Sequence, residues 1–207
     1  DDLAQWMETS DDWIQKRTGI EERRWVEGDV GASELAVPAV EQALEAAGLH
    51  KSELDMTIFA TLSPDLGFPG SSCLLQGHLD LPGIATLDIR NQCTGFVYGL
   101  ATADQFIKSG LMNNVLVVGG EVHSSGLDKT TRGRDVTVLF GDGAGAAVLT
   151  PTDDLDAGAV VLDHKLHADG GHHDILMLPA PASGKNPRLS PEMLEAGLHY
   201  PQMNGRA

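Results

Sequence analysis

Cysteine is scarce in this chain, with Cys73 and Cys93 the only two among 207 residues, and the surroundings of Cys93 are those of a reactive thiol. The stretch Leu87-Asp88-Ile89-Arg90-Asn91-Gln92-Cys93-Thr94-Gly95-Phe96-Val97-Tyr98-Gly99-Leu100 reads as a strand that turns abruptly into a helix at the cysteine. A thiol there faces unsatisfied backbone N–H groups and the positive end of the helix dipole, which suit an attacking sulfur. Thr94 and Gly95 are small enough to let a carbonyl approach, and the N–H of Cys93 can meet the oxyanion that forms. The other reading is a structural cysteine packed as a small apolar residue. The local pattern leaves both open.

Other residues could carry chemistry. The tract from Asp163 to Asp174 gathers His164, His167, His172 and His173 with Asp163, Asp169 and Asp174, all types that ligate metals. No HExxH or comparable spacing orders them, so the tract reads as a polar connector and no metal ligand is assigned. Gly141-Asp142-Gly143-Ala144-Gly145-Ala146 formally meets GxGxx(G/A), but a dinucleotide fingerprint needs a helix after it, and the residues that follow are strand-like. Its glycines are expected instead to allow a tight turn and close backbone packing beside the Cys93 helix. No GK(S/T) is present, which excludes a P-loop.

The bases are few and clustered. Lys16-Arg17 and Arg23-Arg24 form one group, and Lys129, Arg132 and Arg134 another. Against a formal net charge of -16, such a patch would suit a small phosphorylated ligand or an acidic partner, while ordinary surface solubility explains it equally well. The overall charge itself argues against nucleic acid as a partner.

The elements that must position these residues alternate between helix and strand, the pattern of an α/β protein with a parallel or mixed sheet. Residues 33–47 place Leu35, Val40, Ala43, Leu44 and Ala47 on one helical face, with Gly48 as a C-cap and Pro38 marking a kink or a later start. Met56–Thr61 suits a buried strand, and the loop from Ser63 to Gly70 follows it. A helix at 71–79, a strand at 84–89, a helix at 93–109 and a strand at 115–118 continue the alternation. Val136–Phe140 and Ala144–Leu149 read as two strands of a hairpin, and Val160–Leu166 as a last strand in a loose connector. The expected organisation is a half-domain over 1–150 followed by a connector over 151–207.

With 42% hydrophobic and 21% charged residues, the chain has the balance of a globular protein. No run approaches the ~20 apolar residues of a membrane helix, and the first residues have neither a charged nor an apolar leader region. Two cysteines without paired spacing fit free thiols in a reducing cytoplasm.

Three ordered motifs resemble the β-ketoacyl-acyl-carrier-protein synthase III family of thiolase-like condensing enzymes. QCTGFVYGL (Gln92–Leu100) is similar to the family's nucleophile signature, Thr9–Arg24 to its TS(D/E)EWI..RTGI.ERR block, and Leu139–Leu149 to a third block. The similarity thins after Pro151 to His167–Gly170 and Met203–Arg206. The resemblance implies a thiolase-like αβαβα fold in the full enzyme, with Cys93 as the residue that accepts an acyl group. It implies that Trp13 and Arg17 hold the adenine and phosphates of coenzyme A, with Arg134 a second arginine at that nucleotide; an indole can stack on adenine and guanidinium forks suit phosphate. Without the resemblance each would pass as an ordinary residue, Trp13 as core. Phe68 matches the aromatic residue that reaches across the family's homodimer to the partner's acyl pocket, although a loop phenylalanine can also cap its own core.

The implied reaction uses acyl-CoA as substrate, with no permanently bound cofactor, and condenses the acyl group with malonyl-acyl-carrier protein. The family's first strand is expected to be missing before Asp1, and its catalytic histidine and asparagine to lie beyond Ala207; none of the eight histidines present is nominated. Two alternatives are carried. One is the non-decarboxylative condensation of two acyl-CoA molecules, whose enzymes place a glutamate in the loop before the nucleophile helix, where this chain offers only Asp65. The other is a catalytically incomplete subunit or scaffold.

Overall fold

The structure, a computed structural model, describes residues 2–156 and 158–205; Arg206, the last residue of the Met203–Arg206 similarity, lies outside them. In chain order its principal helices and strands are α1 (Asp11–Thr18), α2 (Ala32–Ala47), β1 (Met56–Ala60), α3 (Ser71–His78), β2 (Ala85–Ile89), α4 (Gly95–Lys108), β3 (Val115–Glu121), α5 (Arg134–Thr137), β4 (Gly143–Leu149), β5 (Leu176–Met177), α6 (Pro191–Glu195) and β6 (Gln202–Met203). The chain forms two compact units, one from residues up to 25, 123–141 and from 167 on, the other from 26–122 and 142–166.

The larger unit is built on a four-stranded sheet of order β2-β1-β3-β4. β1 pairs in parallel with β2 and β3, while β4 runs antiparallel to β3. Strand β1 is buried at every position, which is why its sequence is apolar except at Thr57. Successive side chains alternate between faces. Phe59, Leu116 and Val118 pack with Ala36, Val40 and Leu44 of α2 and Leu75 of α3. Ile58, Val115 and Val117 pack on the other face with Ala103, Phe96 and Leu100 of α4. The mixed α/β architecture expected from the alternation is the one formed.

Helix α2 ends at Gly48, whose φ of 65° is the left-handed cap that glycine adopts without steric cost. It begins at Ala32, well before Pro38. Pro38 therefore does not mark a later start, and the helix runs on without the hydrogen bond that proline cannot donate.

The smaller unit has its own core of Leu3, Met7, Ile14 and Val138, with Trp13, Trp25 and Leu139 packed against it. In α1 the Ser10 hydroxyl accepts from the Trp13 N–H at 3.2 Å, and Gly19 closes the helix at φ 71°. Asp11 and Asp12 lie in its first turn and Lys16 and Arg17 in its last, which complements the helix dipole. β5 and β6 form a two-stranded antiparallel sheet.

Two expectations are overturned. The hairpin is not formed: residues 134–137 are helical and β4 pairs with β3 instead. A short run such as Val136–Val138 has no period that distinguishes strand from buried helix, and here the Thr137 hydroxyl donates to the Asp128 carbonyl at 2.7 Å, which fastens the turn. Residues 160–166 form no strand; Leu162 is exposed and no neighbouring strand pairs with it among the described residues.

Candidate active site

β2 delivers the chain to Cys93. Its last residue, Ile89, pairs with Ala60 at the end of β1, and the backbone then reverses through Asn91 and Gln92. Gln92 has φ 45°, a left-handed conformation that costs a non-glycine residue on the order of 1–2 kcal/mol. Cys93 sits in a single 3-10 turn, Gln92–Thr94, and α4 begins only at Gly95. The cysteine thus precedes the helix rather than opening it. The Asn91 side-chain amide donates to Thr94 Oγ1 at 2.9 Å, and that hydroxyl donates to the Asn91 carbonyl at 3.0 Å, so the bend is held from both sides. A Cβ on Gly95 would lie 3.1 Å from the Ala60 Cβ; glycine lets the first turn of α4 settle on the end of β1.

Cys93 is an exposed free thiol at a cavity of about 280 Å³. The cavity is walled by Ala60 and Phe96 and by the facing backbones of Gly119–Glu121 and Gly143–Gly145. Glu121 also lines it. Its carboxylate accepts from Thr61 Oγ1 at 3.2 Å, the Leu62 N–H at 2.9 Å, and the Ser63 N–H at 3.1 Å and hydroxyl. It therefore fastens the loop after β1. Glu121 and its glycine neighbours escaped the sequence reading, which ended this strand at Val118; the signal available was Gly119-Gly120, two glycines at a strand's carboxyl end.

The loop from Ser63 to Gly70 carries two of the singled-out residues. Phe68 is 89% exposed. Asp65 is tied down: its carboxylate accepts from the Ser33 hydroxyl at 2.7 Å and the Ser33 N–H at 3.2 Å at the start of α2. Burial would raise the Asp65 carboxyl, but hydrogen bonds with the Ser71 and Ser33 hydroxyls and the backbone N–H groups outweigh it and hold it below the ordinary range.

Trp13, Arg17 and Arg134 come together within the smaller unit. The Arg17 and Arg134 guanidinium carbons lie 4.8 and 4.6 Å from the Trp13 ring centroid. Arg134 is steadied by donation from Nη1 to the Glu8 carbonyl at 2.9 Å.

The chain matches the family model described as 3-oxoacyl-(acyl-carrier-protein) synthase III over residues 87–170. It is 45% identical to the β-ketoacyl-(acyl-carrier-protein) synthase III of Methylococcus capsulatus over 88% of its own length and 55% of that protein. Against the enzyme of the same name from a Sulfurovum species it is 40% identical over 99% of its length and 58% of that protein. A crystal structure of 3-oxoacyl-(acyl-carrier-protein) synthase III from Aquifex aeolicus superposes with a TM-score of 0.83 at 38% identity, covering 99% of this chain and 59% of that one. This chain belongs to the β-ketoacyl-acyl-carrier-protein synthase III family. It spans a little over half the length of the curated relatives it matches.

Within this synthase III chain, with its thiolase-like fold, the matched block contains Cys93, Arg134 and the Gly141–Gly145 segment. Those glycines differ from expectation. A Cβ on Gly141 would lie 3.2 Å from the Arg24 carbonyl oxygen, so its close packing is against residues 23 and 24 rather than the Cys93 helix. Gly143 and Gly145 have nothing within 4 Å of where a Cβ would stand. The remaining bases are mostly engaged elsewhere. Lys16 pairs with Asp12 and Arg24 with Glu22, each at 2.7 Å, and Arg132 with Asp128 at 2.6 Å. Lys129 lies 4.7 Å from the Trp25 centroid. In the histidine-rich tract His164 approaches Asp104 of α4 at 3.8 Å, and His172 approaches Asp169 at 3.8 Å. Among the described residues no three His, Cys, Asp or Glu side chains converge on a metal position, and no helix is long and apolar enough to cross a membrane.

Proposed function

We propose that this protein is a condensing acyltransferase of fatty acid biosynthesis in which Cys93 takes the acyl group from acyl-CoA. The acyl-enzyme then condenses with malonyl-acyl-carrier protein. The observation that carries this reading is the exposed Cys93 thiol, held by a strained turn at the mouth of a cavity just ahead of α4. Its relatives bear the name β-ketoacyl-acyl-carrier-protein synthase III.

In the first stage Cys93 Sγ attacks the thioester carbonyl. An Sγ–C bond forms, the C–S bond to coenzyme A breaks, and the thiol proton leaves with coenzyme A as its free thiol. The backbone N–H of Cys93 is the donor proposed to meet the transient oxyanion. Trp13, Arg17 and Arg134 hold the nucleotide end: the indole offers a face to adenine, and the two guanidinium groups can turn from that face to phosphate. In the second stage malonyl-carrier protein loses carbon dioxide, and the resulting carbanion attacks the acyl carbon and releases Cys93. No residue of this chain is assigned to that decarboxylation.

We further propose a homodimer in the cytoplasm, where the two cysteines stay reduced. Phe68 is exposed, and β2 lies at an edge of its sheet, a strand position that favours pairing with another chain. Phe68 would border the partner's acyl pocket. Condensation of two acyl-CoA molecules is disfavoured because Asp65, the acid the loop offers in place of a glutamate, is occupied with Ser33.

Incubating the intact protein with radiolabelled acyl-CoA and mapping the label by peptide mass spectrometry tests the central claim. Label is expected on the peptide containing Cys93 and absent in Cys93→Ala. Label on another residue would remove Cys93 as the acceptor, and no label at all would sink the acyltransferase reading and leave a scaffold.

A further inference from the structure

We infer that Gly143 and Gly145 of β4 set the size of the acyl group this protein accepts, by keeping one floor of the Cys93 cavity free of side chains. The inference rests on the reading of Cys93 as the acyl-accepting residue and adds what limits its substrate.

β3 and β4 pair Gly119 with Gly145, Gly120 with Ala144 and Glu121 with Gly143. Residues directly opposite in an antiparallel pair point to the same face, and residues two apart share it. Gly119, Glu121, Gly143 and Gly145 therefore share one face, and Gly120 and Ala144 the other. Which face is which follows from the contacts: a Cβ on Gly119 would lie 3.2 Å from Cδ2 of Phe96 in α4, whereas one on Gly120 would lie 3.2 Å from Cζ of Phe59. The first set is thus on the side of α4 and Cys93.

The glycines on that face have different reasons to be glycine. At Gly119 the Phe96 ring occupies the space a side chain would need. At Gly143 and Gly145 nothing stands within 4 Å, and neither has the positive φ that would demand glycine. Packing and backbone conformation would both accept alanine, and glycine within a strand weakens it. What glycine supplies here is room. Both residues line the cavity that holds Cys93, and a side chain on either would project into it. At about 280 Å³ the cavity is at the small end for ligand sites, so a few added atoms matter.

The test uses the intact protein as wild type, Gly145→Ala and Gly145→Val. Acyl transfer to Cys93 is followed by intact-mass spectrometry across a series of straight-chain acyl-CoAs from acetyl to dodecanoyl. Iodoacetamide, which needs no acyl pocket, reports the state of the thiol. In Gly145→Val the iodoacetamide rate is expected to stay within about twofold of wild type, while transfer of the longest acyl group the wild type accepts falls at least about tenfold relative to acetyl. Gly145→Ala shifts the profile the same way by less, and decides the matter if the valine variant does not fold. An unchanged chain-length profile with a wild-type iodoacetamide rate overturns the floor and leaves the acyltransferase reading standing. A wild type alkylated by iodoacetamide but acylated by no acyl-CoA overturns that reading, and this inference with it.

Discussion

Arg134 lies against Trp13, its guanidinium carbon 4.6 Å from the ring centroid, although the two lie far apart along the chain. Arg17 covers the same indole from within its own helix at 4.8 Å. Replacing Arg134 by lysine keeps the charge but loses the planar fork and the stack. If Arg134 pairs with a phosphate of the nucleotide as proposed, the KM for acyl-CoA should rise by about five- to tenfold, the scale expected for losing a charge-assisted forked donor. kcat should change little. Steady-state kinetics at fixed ionic strength check this, and a fall in kcat at unchanged KM would contradict the assignment.

Glu121 fastens residues 61–63 by accepting hydrogen bonds from Thr61, Leu62 and Ser63. Glu121→Gln turns one acceptor into a donor facing those donors. Leaving a part-buried donor unpaired costs about 1–3 kcal/mol, to be seen as a lower urea midpoint with an unchanged slope. A variant as stable as wild type would show that the loop is held by other contacts.

Gly99 lets α4 rest on the sheet. A Cβ there would stand 2.9 Å from Cγ1 of Val117 and 3.7 Å from Cγ2 of Ile58. Gly99→Ala should destabilise by about 1–3 kcal/mol, the usual range for overpacking a core, and Val117→Ala should recover part of that loss in the double variant. Additive effects in the thermodynamic cycle would separate the two residues.

Acid should weaken the fold through particular carboxylates. The Asn114 and Asn113 N–H groups hold the Asp55 carboxyl below its ordinary range, at 3.0 and 2.7 Å. At Asp128 burial acts in the opposite direction, but the Thr130 hydroxyl and Arg132 prevail and the carboxyl is again lowered. A carboxyl whose folded pKa lies below its unfolded value binds fewer protons when folded. Its stabilisation is complete above the unfolded pKa of about 4 and is lost as pH falls through the folded value. Asp55→Asn should therefore be less stable than wild type at about pH 6, with the gap closing below about pH 4. Urea unfolding across that range measures it; a gap independent of pH would assign the loss to shape rather than charge.

Much of the fold was legible because it rests on local physics. Gly48 as a left-handed helix end and the largely apolar run of β1 each have a residue-level cause. Cys93 too stood out, since a strand meeting a helix at a cysteine is a local pattern, and three motif blocks carried the family resemblance. Tertiary structure alone decided the rest. It made residues 134–137 helical and gave β4 to β3, placed Cys93 one turn ahead of α4, brought Arg134 to Trp13 and put Glu121 and two open glycines around the thiol. Pairing and packing between residues distant along the chain depend on which surfaces remain to be covered once the local elements exist, and a glycine kept for the space beside it looks in sequence like a glycine kept for a turn.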